Sequence, residues 1–333
     1  MEIRTLRPVG PVRTKRLGLL AAAILALLAT SAAAQVPAGY PVKPIRFIVG
    51  FPPGGANDIL GRLVGAKLQE RLGQTFVIEN KPGANAIIGT ELAARAPGDG
   101  YTILLNAPGH ATNATLMKLP FDPVKDFAFI SLVAESQNLV VMHPSLPVRS
   151  VKELVALAKG KPGALNYGAG STPFQLAAEL FKMQTGTDFK HVPYKGSAAT
   201  VSALLGGEIA ITFVDSPPVV AQIKAGKLRG LAVTSPKRAP FLPEMPTAIE
   251  AGVPDFEVVL WTSLFAPAGT PPAIVAKLQG EIAKIVQIPE IRERMTAIGI
   301  DPIGSTSDEL AAQLRKDLAR WTKVARAAGV KAE

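Results

Sequence analysis

Residues 40–58 read YPVKPIRFIVGFPPGGAND, and the fold follows from how that stretch divides. Residues 45–49 form a short, nearly continuous apolar run, the pattern of a strand buried on both faces. Residues 51–58 cannot extend it, because Pro52 and Pro53 lack backbone donors and Gly54 and Gly55 favour turn conformations. Ile59, Leu60, Leu63, Val64, Leu68 and Leu72 then recur at helical spacing until Gly73, with Asn57 or Asp58 as the expected N-cap. A strand, a glycine turn and a helix start leave backbone N–H groups free beneath residues without side chains. Such a turn is an anion site, so this loop is expected to hold a carboxylate or another small anion.

Working outward, the N-terminus reads as a secretory signal peptide over residues 1–34. Arg4, Arg7, Arg13, Lys15 and Arg16 precede the apolar run 17–29, and Ala32-Ala33-Ala34 supplies a cleavage site after Ala34. The apolar run is shorter than the roughly 20 residues a spanning helix needs. With no cysteine, disulfides, a lipid-modified Cys and thiol chemistry are excluded, and the expectation is a freely soluble periplasmic protein. The full chain carries a formal net charge of +10; removing the leader's five cations and one anion leaves +6. Lys and Arg do not cluster among aromatics, so nucleic-acid binding has no support.

The alternation of strand and helix continues through 75–78, 88–95 and 101–105, a βαβ series whose ligand loops fall at the carboxyl ends of the strands. Two more loops rich in Gly, Pro and Asn stand there, one containing Asn85 and one opening on Asn106, although plain turn chemistry explains either taken alone. A composition shift at 142–147, after a short strand 139–142, marks a crossing into a second α/β run, where Ser150 and Glu153 form a capping box. There the strand 165–167 feeds Gly168-Ala169-Gly170-Ser171-Thr172-Pro173-Phe174-Gln175, a second copy of the opening design, with Thr172 as N-cap and Gln175 as its reciprocal partner. Asp215 ends another strand, either capping a helix with Ser216 or meeting a ligand's donor group. The run FEVVLWTSLF, 256–265, is long enough to leave one domain and enter another. Helices from 272 and from Thr306 close the chain, both expected to cover the first domain.

Reactive chemistry is scarce. His110, His143 and His191 share no metal-ligand spacing, Ser171 lacks a G-x-S-x-G elbow and an assignable base, and no dinucleotide or P-loop fingerprint is complete. No cofactor or metal is implied, and anion-holding loops without a reactive group describe a binding protein rather than an enzyme. An exported hydrolase using Ser171 is the alternative from another class.

Six ordered blocks, among them YPVKPIRFIVGFPPGGAND, NKPGANAIIGTELAARAPGDGYTILL, HVPYKGSAAT and WTSLFAPAGTPPAIVAKL, together resemble the Bug (TctC-type) substrate-binding proteins of tripartite tricarboxylate transporters. The resemblance implies a type II-like periplasmic-binding-protein fold, two α/β domains joined by two crossing strands. The first domain would comprise 35–142 and 260–333, the second 143–259. It implies capture of a small carboxylic acid (a dicarboxylate, tricarboxylate, acidic amino acid or aromatic acid) by a monomer that serves integral membrane permease subunits or, in some relatives, a sensor. Carried over, the carboxylate-holding positions are Phe51, Gly54, Gly55, Ala56, Asn57 and Asp58 on one side and Gly170, Ser171 and Thr172 on the other. Asp215 would orient the distal part of the ligand. Two departures bear on specificity: the family's PGAGGNIG is PGANAIIG here, so Asn85, Ala86 and Ile87 would narrow that wall, and Phe174-Gln175 replaces a frequent His. Phe174 either faces the cleft or packs in the second core.

Overall fold

In the computed structural model, which describes residue 2 and residues 39–330, the opening apolar run forms β1 (Ile45–Val49). It pairs in parallel with β2 (Phe76–Asn80) and β3 (Thr102–Asn106). The leader and its cleavage point lie outside the described residues. Helix α1 (Ala56–Leu72) follows β1, α2 (Ile87–Ala94) follows β2 and α3 (Gly109–Leu116) follows β3. Leu60, Val64 and Leu68 of α1 pack with Ile45, Phe47 and Val49, while Ile48 and Leu104 enter a second cluster with Trp261 and Phe265. Burial on both faces removes any need for polar alternation, which is why 45–49 reads as a continuous run.

Strand β4 (Phe127–Met142) has 16 residues, far more than the short strand expected at 139–142. It leads into α4 (Val151–Gly160), β5 (Asn166–Ala169), α5 (Thr172–Thr185), β6 (Lys190–Pro193), α6 (Ser197–Leu205), β7 (Ile211–Asp215), α7 (Val220–Lys224) and β8 (Arg229–Val233). The chain returns as β9 (Val259–Pro267), then α8 (Pro272–Ile285), α9 (Pro289–Ala297), β10 (Ile300–Pro302) and α10 (Ser307–Ala328). The strand order is β2-β1-β3-β9-β4-β7-β5-β6, with β8 and β10 also paired to β4.

The two halves meet along β4 and β9. Ile130, Val133 and Ala134 of β4 belong to the first core, Val140 and Met142 to the second, and the polar stretch Glu135, Ser136, Gln137, Asn138 lies between. On the return, Phe256, Val258 and Leu260 pack in the second core and Leu264 and Ala266 in the first. Ser136 stands opposite Leu260 in the antiparallel register, so both strands cross at one level. This is the expected pair of crossing strands.

Helix α8 covers the first half, with Ile274, Leu278 and Ile282 in its core. Helix α10 departs from expectation. Its capping box of Thr306 and Glu309 forms as read, but Leu310 and Leu314 pack in the first half whereas Trp321, Val324 and Ala325 pack in the second. Its apolar stripe is long enough to span both.

Candidate functional site

Helix α1 starts without a side-chain cap. Its N-cap is Gly55, in extended backbone, so neither Asn57 nor Asp58 takes the capping role expected of it. The first helical bond runs from Ile59 N–H to the Gly55 carbonyl at 3.0 Å, and the N–H groups of Ala56, Asn57 and Asp58 precede it without a helical acceptor. Gly54 turns the chain at φ +84°, which glycine adopts without strain.

The Asp58 carboxylate is turned beneath the loop. It accepts from Gly54 N–H (3.0 Å), Arg62 Nε (3.1 Å) and Asn80 Nδ2 (2.9 Å). Burial pushes its pKa upward, but the bonds from Arg62, Gly54 and Asn80 outweigh that and hold it below the usual carboxylate value. Asp58 therefore shapes the loop from behind. Asn57 is likewise tied down, its Oδ1 accepting from Thr262 Oγ1 of β9 at 2.9 Å.

Helices α5 and α6 repeat the design. Their N-caps are Ser171 and Gly196, again with no side-chain cap bond. Thr172, expected as the cap, is the first helical residue, and Gln175 turns toward His191 Nδ1 (3.5 Å) instead of back to the cap. Gly196 N–H donates to the Gly170 carbonyl at 2.9 Å, and a Cβ on Gly170 would lie 2.4 Å from the Gly196 carbonyl carbon. The two loops are clasped backbone to backbone, which only glycine at 170 permits.

All three uncapped N-termini open on one cleft between the halves. Of the residues singled out in the sequence, Phe51, Gly55, Ala56, Asn57, Gly170, Ser171, Phe174 and Asp215 line it. Phe174 does both things considered for it: it is a member of the second core and its ring edges the cleft. Gly54, Asp58, Asn85, Asn106 and Thr172 are not among the lining residues. Asn106 is buried behind the end of β3, where its Nδ2 reaches Thr90 Oγ1 and His110 Nδ1 and its Oδ1 accepts from Ala107 N–H. Asn85 borders the neighbouring recess and its carbonyl accepts from Asn113 Nδ2 at 2.8 Å.

Thr172 instead bridges the halves, donating to Asn113 Oδ1 at 2.7 Å and lying 2.9 Å from Thr112 Oγ1 of α3. Pro52 lies 3.6 Å from where a Cβ on Gly196 would stand, so the two halves face each other closely at the glycine loops. This is a closed arrangement.

Sequence reading missed the third N-terminus, Lys195 to Ala198, and the contributions of Ser136, Leu260, Trp261 and Thr262 from the crossing strands. The first was legible in PYKGSAAT, a strand end, a Gly-Ser turn and a helix start in the same order as the other two. Asp215 sits at the inner end, buried, with Ser197 Oγ donating to its Oδ1 at 2.6 Å. Burial pushes its pKa up to about 6 against the lowering effect of the Ser197 bond. It caps no helix, since the N-cap of α7 is Val219.

The sequence pattern of the family described as the tripartite tricarboxylate transporter family receptor, TctC, matches residues 60–330. The chain belongs to the TctC receptor family. TctC receptors are solute-binding proteins, and relatives of known structure are periplasmic. The chain is 35% identical to protein BugT of Bordetella pertussis over 88% of its own length and 91% of that protein's. It is 36% identical to the UPF0065 protein in the tcbD-tcbE intergenic region of Pseudomonas sp., covering 92% of each chain. Among solved structures it resembles Rpa4515 of R. palustris with adipate (37% identity, TM-score 0.85, 88% of this chain and 99% of that one). It also resembles MatC of Rhodopseudomonas palustris with bound malate (29% identity, TM-score 0.81, 86% and 99%).

Proposed function

We propose that this TctC receptor captures a small carboxylic acid in the cleft and delivers it to a tripartite tricarboxylate-type permease. The observation that carries the reading is the convergence of three helix N-termini without side-chain caps, at Gly55, Ser171 and Gly196. Each such terminus favours an anion by about 0.3–2 kcal/mol, more as water is excluded. The ligand carboxylate takes hydrogen bonds from the loop at Phe51 to Asn57 and from the loop at Gly170 and Ser171, with Lys195 adding charge at the lining. Adipate in Rpa4515 and malate in MatC support a small carboxylic acid as the ligand.

The moving units in this reading are residues 35–142 with 260–333 and residues 143–259, hinged where β4 and β9 cross. The chain is exported with cleavage after Ala34 and acts as a monomer whose closed form engages the membrane subunits. No helix among the described residues is long and apolar enough to cross a membrane.

The test is mass spectrometry of co-purifying acids followed by titration calorimetry across a carboxylate panel. Saturable binding with the acid recovered intact is the expected result. A panel with no binding and no heat, or product formation that disappears in Ser171→Ala, would overturn the proposal.

A further inference from the structure

Behind Asp215 lies a polar side chain that the carboxylate clasp leaves unused. Asn138, on β4 at the crossing level, is fully buried, and neither its Nδ2 nor its Oδ1 has a hydrogen-bond partner. A buried amide with both groups unmet is costly, and a bound molecule that supplies a donor and an acceptor would offset that cost. Its direction follows from register. Asn138 stands opposite Asp215 in the antiparallel β4–β7 pair, so the two side chains leave the sheet on one face. Val140 and Phe213, which share that face, pack in the second core with Phe174. Ser136, two residues earlier on the same face, and Asp215 both line the cleft. Asn138 therefore lies behind the cleft wall beside Asp215, without itself lining the cleft in this form.

We propose that Asn138 and Asp215 form a second recognition point, which reads a hydrogen-bond donor at the end of the ligand remote from its carboxylate. The inference rests on the reading of the cleft as a carboxylate site. Asp215 has spent one oxygen on Ser197, and a buried carboxylate is tolerated when donors surround it. Asn138 adds an acceptor and a donor side by side. A hydroxyl, a carboxamide or an ammonium group gives its proton to Asp215 and Asn138 Oδ1, and the first two also accept from Asn138 Nδ2. A second ionised carboxylate would meet Asp215 as a like charge. The lining residues thus present one cation, Lys195, and one anion, Asp215, a pattern matched by a ligand that is an acid at one end only.

The experiment is titration calorimetry of the full chain with monocarboxylates of equal length that differ only at the far end: methyl, hydroxyl, carboxamide, ammonium, and a second carboxylate. It is run at about pH 8, where Asp215 is ionised. The three donor-bearing acids are expected to bind about tenfold more tightly than the methyl and dicarboxylate members. In Asn138→Leu, which keeps the branched shape and removes the amide, the affinities converge on that of the methyl acid. Binding across the series without that order, or a preference for the dicarboxylate, overturns the distal recognition point and leaves the carboxylate clasp standing. Binding of no member overturns both. The wild-type series decides the question by itself should Asn138→Leu fail to fold.

Discussion

Asp215 and His110 are buried ionisable groups whose effects on stability oppose each other as the pH falls. The Asp215 carboxyl is raised by burial from 3.8 to about 6. Its ionised form is the costly one, so stability is lost as the pH rises through that window and regained on acidification. At about 1.4 kcal/mol per pH unit this amounts to about 3 kcal/mol. His110 stacks on Phe265, is bonded at Nδ1 by Asn106 and gives its Nε2 proton to the Pro123 carbonyl at 2.8 Å. Burial lowers it from 6.5 to about 4, so the neutral form is preferred in the fold. Its contribution is present above 6.5 and about 3 kcal/mol is lost as the pH falls to 4. The two nearly cancel in the wild type. Asp215→Asn should therefore be more stable than wild type by up to about 3 kcal/mol near pH 7.5, with the difference shrinking to nothing by about pH 4. Urea unfolding at a series of pH values measures it, and an offset independent of pH would show that Asp215 does not titrate in this way. What could be read in advance at this scale was the backbone: glycines at 54, 55 and 170 announce turns whatever surrounds them. Asp58 does not take the N-cap role expected of it, because its carboxylate ties back to Arg62, one turn on in α1, and to Asn80, which β2 brings from beyond any local pattern.

At the scale of elements, the loop between β2 and α2 holds a strain that the sequence encodes. Ala84, Asn85 and Ala86 all adopt positive φ, at 45°, 54° and 72°, and Ala86 is the N-cap of α2. Asn85 and Ala86 stand where the family pattern has glycines, so the backbone keeps a glycine conformation under side chains that disfavour it. Asn113 holds the loop through the Asn85 carbonyl. Ala84 is exposed, so Ala84→Gly relieves left-handed strain without opening a cavity and should stabilise the protein by about 0.5–1 kcal/mol, after the added freedom of the unfolded chain is counted. A rise in the urea midpoint checks it; a fall would mean that the loop relaxes to negative φ in solution. Strand β4 shows the other limit of local reading. Its apolar pattern breaks at Glu135-Ser136-Gln137-Asn138, and a break in an apolar run normally ends a strand. Here the polar residues mark where the strand passes between two cores and faces the cleft. The lapse in the pattern was itself the functional feature, and only pairing with β9 and β7 on either side reveals the continuity.

For the whole molecule the governing question is what holds the halves together, since the crossing strands and α10 connect them in every state while the cleft contacts need not persist. Helix α10, anchored by Leu314 in one half and Trp321 in the other, limits how far they can part. In the proposed closure, the side-chain bonds that Thr172 makes with Asn113 and Thr112 in this structure would form only as the halves approach. All three residues are buried, so removing the Thr172 hydroxyl leaves Asn113 Oδ1 without its donor in the closed form, whereas in an open form water supplies one. Thr172→Val keeps the shape and should shift the equilibrium toward the open form by about 1.4 kcal/mol, lowering the affinity for a bound carboxylate about tenfold. Small-angle scattering of the ligand-free variant should show a larger radius of gyration than wild type, returning to the wild-type value at saturating ligand. Unchanged scattering together with unchanged affinity would mean that α10 and the crossing strands fix the closed form alone, and that Thr172 takes no part in closure.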